Sequence, residues 1–174
     1  MKLVSVVLFL FTLLNGTLRI QAQTPTEYQL KAAVIYNFPK FVDWPDADPN
    51  LPIVIGILGD DPFGHDIDRT INGKTANGRA LVIKRFSSLQ SLTACQILFV
   101  SSSQRGNLRQ IFAMASSVGA LTVGESDHFA EAGGMIHLTM VNSKVRLVIN
   151  QAAAERAGLK ISAKLLSLAQ VIRN

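Results

Sequence analysis

The 174-residue chain has one cysteine and one tryptophan, and charged residues make up only 17% of it. A single thiol cannot close an internal disulfide, complete a thiolate zinc site or hold an iron–sulfur cluster, so sulfur-held metal is excluded. The charge content lies below the roughly 25% of an average soluble domain, while 48% of the residues are hydrophobic. Disorder and collagen-like repetition are thereby excluded too. The longest apolar run, Leu3 to Leu14 with Ser5 and Thr12 inside it, is shorter than the about 18 residues that span a bilayer.

Basic residues outnumber acidic ones by 17 to 12, but the excess carries little information. Without Lys2 and Arg19, which lie in the N-terminal stretch, the balance is 15 minus 12, or +3. The cations are scattered, with Lys84-Arg85 the only adjacent pair. A phosphate-binding surface needs clustered charge to release counterions, so no nucleic-acid partner is expected.

Lys2 followed by a short apolar run, with Ala22 as a small residue for a peptidase, reads as a secretory signal peptide over residues 1–22. Cleavage near Gln23 then leaves residues 23–174 as a single domain in the periplasm, without a stable membrane anchor.

That domain opens with a helix. Thr24, Pro25 and Glu27 supply a capping box with proline at the first helical position, and Leu30, Val34, Phe38 and Phe41 recur on one face. Pro39 removes a helical hydrogen bond, so the helix is expected to stop or kink near Asn37. Strands follow at Ile53 to Leu58, Leu81 to Phe86, Ile97 to Val100 and Leu121 to Val123, alternating with helices from near Pro62 and from Gln104 to Ser117. Such alternation implies a mostly parallel central sheet flanked by helices on both faces, an α/β fold.

The last strands differ. Met135 to Val141 and Lys144 to Asn150 flank Asn142-Ser143, a hairpin-length turn. Counting outward pairs Met140 with Val145, Leu138 with Leu147 and Ile136 with Ile149, which makes one face wholly apolar and places it in the core. The opposite face sets Thr139 against Arg146 and His137 against Val148. Ala152 to Ala157 and an apolar C-terminal helix from Ile161 to Ile172 close the chain.

Candidate chemistry is sparse. Asn72-Gly73-Lys74-Thr75 ends like a phosphate-binding loop, but Asp68 stands where glycine is required and no helix follows. The strand that would present a phosphoacceptor aspartate ends in Ser101-Ser102-Ser103. Asp60, Asp61, His65, Asp66 and Asp68 have the donor atoms for a cation, but acids at these positions also cap a helix and favour its first turn. His128 and His137 stand alone, and no serine sits in a hydrolase elbow. Cys95, just before a strand, reads as a small buried hydrophobe. No nucleophile, base and orienting acid converge, so a non-enzymatic protein without cofactor or metal is expected.

Two surfaces remain. Ligands on open parallel sheets lie beyond the carboxyl ends of the strands, here Gly59 to Gly64, Ser101 to Ser103 and Gly124 to Ser126, which would suit a small-ligand-binding protein. Tyr36, Phe41, Trp44 and Phe63 are candidate partner contacts, because aromatic residues anchor interfaces; core packing is the alternative role for each.

Glu27-Tyr28-Gln29, Tyr36-Asn37-Phe38, Trp44-Pro45, Gly59-Asp60-Asp61-Pro62-Phe63-Gly64, Gly78-Arg79 and Cys95-Gln96-Ile97-Leu98-Phe99 occur in that order. Leu121-Thr122-Val123-Gly124, Gly133-Gly134 and Ile161-Ser162-Ala163-Lys164-Leu165-Leu166 complete the series. In order and spacing these motifs resemble the YfiR-like periplasmic proteins over essentially the whole chain after the signal segment. Two departures are Pro39, in place of a small helix former, and the lone cysteine, which leaves out the intramolecular disulfides of some relatives. The resemblance implies a periplasmic regulator that binds and represses an inner-membrane diguanylate cyclase or related signalling receptor, lowering cyclic di-GMP and holding back biofilm formation. Relatives of this kind are often homodimers.

Overall fold

The computed structural model describes residues 24–45 and 47–173; the expected signal peptide lies outside them. Helix α1 (Glu27–Asn37) is capped by Thr26, whose Oγ1 accepts from the Gln29 N–H (3.3 Å) while the Thr26 N–H donates to Gln29 Oε1 (3.0 Å). The capping box is therefore Thr26 with Gln29, not Thr24 with Glu27. Both pairs have the required spacing, and the helix begins after the second, leaving Pro25 outside. As expected from Pro39, α1 ends at Asn37 and gives way to a short 3-10 turn, Phe38–Lys40. Its buried face is Lys31, Ala32, Ile35 and Phe38, with Leu30 and Val34 only half-buried at the margin. The face was misread because a lysine lies at its centre.

Then come β1 (Val42–Asp43), β2 (Ile53–Leu58), α2 (His65–Ile71), β3 (Thr75–Ala76), β4 (Arg79–Phe86) and β5 (Ile97–Val100). The chain continues through α3 (Leu108–Ser117), β6 (Leu121–Gly124), β7 (Ile136–Val141), β8 (Lys144–Asn150) and α4 (Gln151–Arg156). It ends in β9 (Lys160–Ile161), α5 (Ala163–Leu166) and β10 (Gln170–Ile172). Eight strands form one sheet in the order β10-β8-β7-β6-β5-β2-β4-β3, and β1 pairs with β9 in a separate two-stranded ribbon. Neighbours run parallel except at β3–β4 and β7–β8.

The sheet is covered on both faces, as the unbroken apolar runs of β2 and β5 require. Ile53, Ile55, Ile57, Ile97 and Phe99 pack with Ala32 and Ile35 of α1 and Ile67 and Ile71 of α2. Leu58, Leu98 and Val100 point the other way, onto Ile111 and Ala115 of α3 and onto Phe129. Cys95 is buried in this second layer, and burial pushes its thiol up to about 11. At neutral pH it is therefore a protonated, inert packing group.

The hairpin register is the expected one, Met140 opposite Val145, Leu138 opposite Leu147 and Ile136 opposite Ile149. Asn142 and Ser143 take the left-handed conformation (φ 50° and 58°) that a two-residue turn of this twist requires. The expected helix from Ile161 to Ile172 is corrected. Only Ala163–Leu166 is helical, capped by Ser162, whose Oγ accepts from the Leu165 N–H (3.3 Å). The chain then turns and β10 adds in parallel beside β8, satisfying backbone groups along an edge that would otherwise be open.

Candidate functional site

The order of β4, β2 and β5 places the topological switch point between β2 and β5, where ligands of open parallel sheets lie. Here that crevice is filled by the protein's own loops. The Ser103 hydroxyl accepts from the Asp60 N–H (3.0 Å) and lies 3.3 Å from Ser101 Oγ. Gly59 has φ +90°, and a Cβ there would come within 2.5 Å of Ser103 Oγ and 2.9 Å of Gln104 Cγ. Glycine is required because the two loops interlock across it.

The acids after β2 serve the fold. Asp61 Oδ1 accepts from the Phe63 N–H (2.8 Å) and the Gly64 N–H (3.3 Å), shaping the turn before α2, which starts at His65 and not near Pro62. Arg85 on β4 donates to Asp61 Oδ2 (2.7 Å), to Asp68 Oδ2 (2.7 Å) and to the Gly64 carbonyl (3.0 Å). Hydrogen bonding from Arg85 holds the Asp68 carboxyl below its ordinary range. Asp66 is lowered as well, chiefly by Arg69 and then by Gln29. Among the described residues, no three His, Cys, Asp or Glu side chains converge as metal ligands.

One strand over, the carboxyl end of β6, within the expected Gly124 to Ser126 lining, holds a polar cluster whose buried lysine the sequence did not single out. Lys31 is 3% exposed, and its Nζ lies 2.5 Å from both Glu27 Oε1 and Glu125 Oε2. Tyr28 donates to Glu125 Oε1 (3.4 Å). Burial alone would lower the Lys31 pKa, but hydrogen bonds to Glu125 and Glu27 outweigh it and the net shift is upward. His137, buried on β7, is shifted down by desolvation. Tyr28, Lys31, Ser102, Glu125, Asp127 and His137 contribute to a cleft of about 360 Å³. Its one central ammonium is shared by two carboxylates, and desolvation disfavours the charged form of its histidine.

The four expected contact aromatics separate into three environments. Phe63 is interior, 3% exposed, with its ring edge-on to Tyr28 (5.5 Å between centroids) and Phe99 (4.7 Å). It has no accessible area to offer a partner in this fold. Trp44 is half-buried, donates from Nε1 to the Gln96 carbonyl (3.1 Å) and borders a cavity of about 250 Å³ with Cys95, Gly119 and Leu159. Tyr36 and Phe41 are half-buried near the opposite end of α1 from the Lys31 cluster. Lys40 and Lys74 each place Nζ 4.7 Å from the Tyr36 ring centre, and Lys164 stands 5.7 Å from that of Phe41. Of these lysines only Lys40, four residues after Tyr36, was in reach of sequence spacing.

Residues 28–170 match the model of a protein family described as YfiR/HmsC-like. No curated protein matches the chain in sequence. Among solved structures it is similar to a conserved domain protein from Vibrio cholerae, with a TM-score of 0.58 and 14% identity over 84% of this chain and 60% of that one. It is also similar to an ABC domain from Streptococcus pneumoniae solved in complex with L-Trp, with a TM-score of 0.54 and 14% identity over 83% of this chain and 60% of that one. The chain thus spans about 60% of the length of either structure. At this identity the likeness concerns the α/β fold.

Proposed function

Because the chain belongs to the YfiR/HmsC-like family, we propose that it is a non-enzymatic periplasmic regulator that binds and represses an inner-membrane diguanylate cyclase or related signalling receptor, lowering cyclic di-GMP. The family match over residues 28–170 carries this reading. It is supported by the chemistry of the described polar clusters, in which Asp61 and Asp68 are tied to Arg85 and Glu125 to Lys31. Groups committed to ion pairs and turns suit a binding scaffold better than turnover. None of the described helices is long and apolar enough to cross a membrane, so contact with the bilayer would come through the partner. The homodimer common among relatives belongs to the same proposal.

Export requires the signal peptide expected over residues 1–22. Of the proposed contact residues, Tyr36 and Phe41 retain accessible area beside the three lysines, and Trp44 is half-buried.

The cleft beside Lys31 favours a second reading, a periplasmic small-ligand-binding protein, since it sits at the carboxyl end of a parallel strand. Affinity capture separates the two. Tagged, exported protein is crosslinked in living cells, purified from solubilised membranes, and its companions are identified by mass spectrometry. A membrane protein carrying a diguanylate cyclase domain or another signalling output domain is expected to be enriched over an untagged control. Capture of no membrane signalling protein, with a metabolite in stoichiometric amount in the purified chain, would favour the ligand-binding reading instead.

A further inference from the structure

We infer that the lysine-and-aromatic face at the C-terminal end of α1, formed by Tyr36, Lys40, Phe41, Lys74 and Lys164, is a docking surface for an acidic protein segment. The inference rests on the regulator reading above and names the chemistry of the partner that this face would recognise.

Three segments distant in sequence build the face. Tyr36 and Lys40 come from the end of α1 and its 3-10 extension, Lys74 from the turn before β3, and Lys164 from α5. The segments are fixed to one another by hydrogen bonds to backbone carbonyls: the Asn77 side-chain amide donates to the Pro39 carbonyl (2.8 Å), and the Ser162 N–H to the Phe41 carbonyl (2.8 Å). Lys40 also donates to Asn37 Oδ1 (2.9 Å). The cations are therefore positioned by a rigid frame and not merely scattered over a surface.

What sets these lysines apart is their placement over aromatic rings. None of the three lysines forms an ion pair among the described residues, and all three are exposed. The nearest acid in sequence, Asp43, lies on β1 opposite Lys160 of β9. Two ammonium groups, those of Lys40 and Lys74, share one aromatic ring at equal distance. The ring attracts each of them, and both ammonium groups remain available to an incoming carboxylate. Toward the other end of α1 the cation Lys31 is paired internally with Glu27 and Glu125. The same helix thus has one end whose cation is paired within the protein and one end whose cations are not.

Among anionic partners, a protein segment fits best. Lipid-reading basic clusters hold about four to eight lysines or arginines, and this face has three. Nucleic acid requires an extended stripe of charge, which the scattered distribution does not supply. Half-buried Tyr36 and Phe41 add what a protein interface uses at its centre, aromatic area rimmed by charge.

The test measures binding of the purified exported chain to right-side-out inner-membrane vesicles from a strain lacking its gene. Lys40→Glu/Lys74→Glu/Lys164→Glu is compared with a control of equal charge change elsewhere, Lys84→Glu/Arg109→Glu/Lys144→Glu, and with the milder Lys40→Gln/Lys74→Gln/Lys164→Gln. Thermal melts establish that each variant is folded. The glutamate triple is expected to bind at least about tenfold more weakly than wild type, the glutamine triple to fall between, and the control to bind within about twofold. Wild-type binding weakens as salt rises, and that dependence flattens in the glutamate triple. Wild type, control and folded glutamate triple binding alike would overturn the docking face while leaving the regulator reading intact. Equal binding of wild type to protein-free vesicles of phosphatidylethanolamine and phosphatidylglycerol would make the ligand lipid and overturn the protein-segment assignment. Failure of wild type to bind native membranes at all would overturn both.

Discussion

Replacing Gly124 with alanine is expected to destabilise the protein by about 3 kcal/mol, with Gly134→Ala at least as severe. The reason is Phe129, a fully buried ring held between these two glycines. A Cβ at either position would fall inside the ring's van der Waals envelope, and at Gly134 it would also come within 2.8 Å of the Phe129 carbonyl oxygen. The ring cannot swing away, because Phe112 packs edge-on against it at 5.1 Å. Backbone bonds from the Phe129 N–H to the Ser126 carbonyl (3.1 Å) and from the Gly134 N–H to the Phe129 carbonyl (2.9 Å) hold the loop closed around it. Deleting the ring in Phe129→Ala should cost about 3–5 kcal/mol through the cavity left behind. Gly106→Ala is the control, since a Cβ there meets nothing within 4 Å. Urea unfolding reads all four variants, and a Gly124→Ala protein within about 0.5 kcal/mol of wild type would show that the loop relaxes freely.

Glu125→Gln and Lys31→Met are each expected to lose about 2–3 kcal/mol, because either change leaves one largely buried charge without its main partner. Removing the carboxylate leaves a buried ammonium with only the more exposed Glu27 as partner. Removing the ammonium keeps the packing volume but leaves Glu125, whose side chain is only 10% exposed, with the Tyr28 hydroxyl in place of its cation. The double variant should recover much of the loss, giving a coupling term that two independent sites would lack. The pH dependence has a definite sign. The folded pKa of Lys31 is raised above the ordinary 10.5, so its ion-pair contribution is fully present below that value and is lost only as pH rises through the folded pKa. The stability difference between wild type and Lys31→Met should thus be flat from neutral to mildly alkaline pH. Losses that simply add in the double variant would contradict this assignment.

What could be read from the sequence was whatever depends on near neighbours. The β7–β8 register followed from alternation about Asn142-Ser143, and the end of α1 from Pro39, because each is decided within a few residues. The long C-terminal helix was misread because Leu165, Leu166, Leu168, Val171 and Ile172 are apolar in any conformation. Ser162 and the vacant side of β8 decide the outcome, and β8 is a nonlocal partner. Lys31 disguised the buried face of α1 for the same reason: its neutralising partner Glu125 lies 94 positions away.

Aromatic type alone did not distinguish core from surface. Phe63 and Phe41 look equivalent in sequence, yet one stacks among Tyr28 and Phe99 while the other lies under Lys164. The lining expected at Gly59 to Gly64, Ser101 to Ser103 and Gly124 to Ser126 divides in the fold: Gly59 and Ser103 interlock, while Ser102 and Glu125 border the cleft beside Lys31.

Cyclic di-GMP, quantified by mass spectrometry in cells with and without this gene, bears most directly on the proposed regulatory role. The measurement is made where both the protein and its membrane partner are produced. Deletion should raise the nucleotide, and the rise should vanish when the captured cyclase is deleted as well. An unchanged level in the single deletion, or a rise that persists without the cyclase, would contradict repression through that partner.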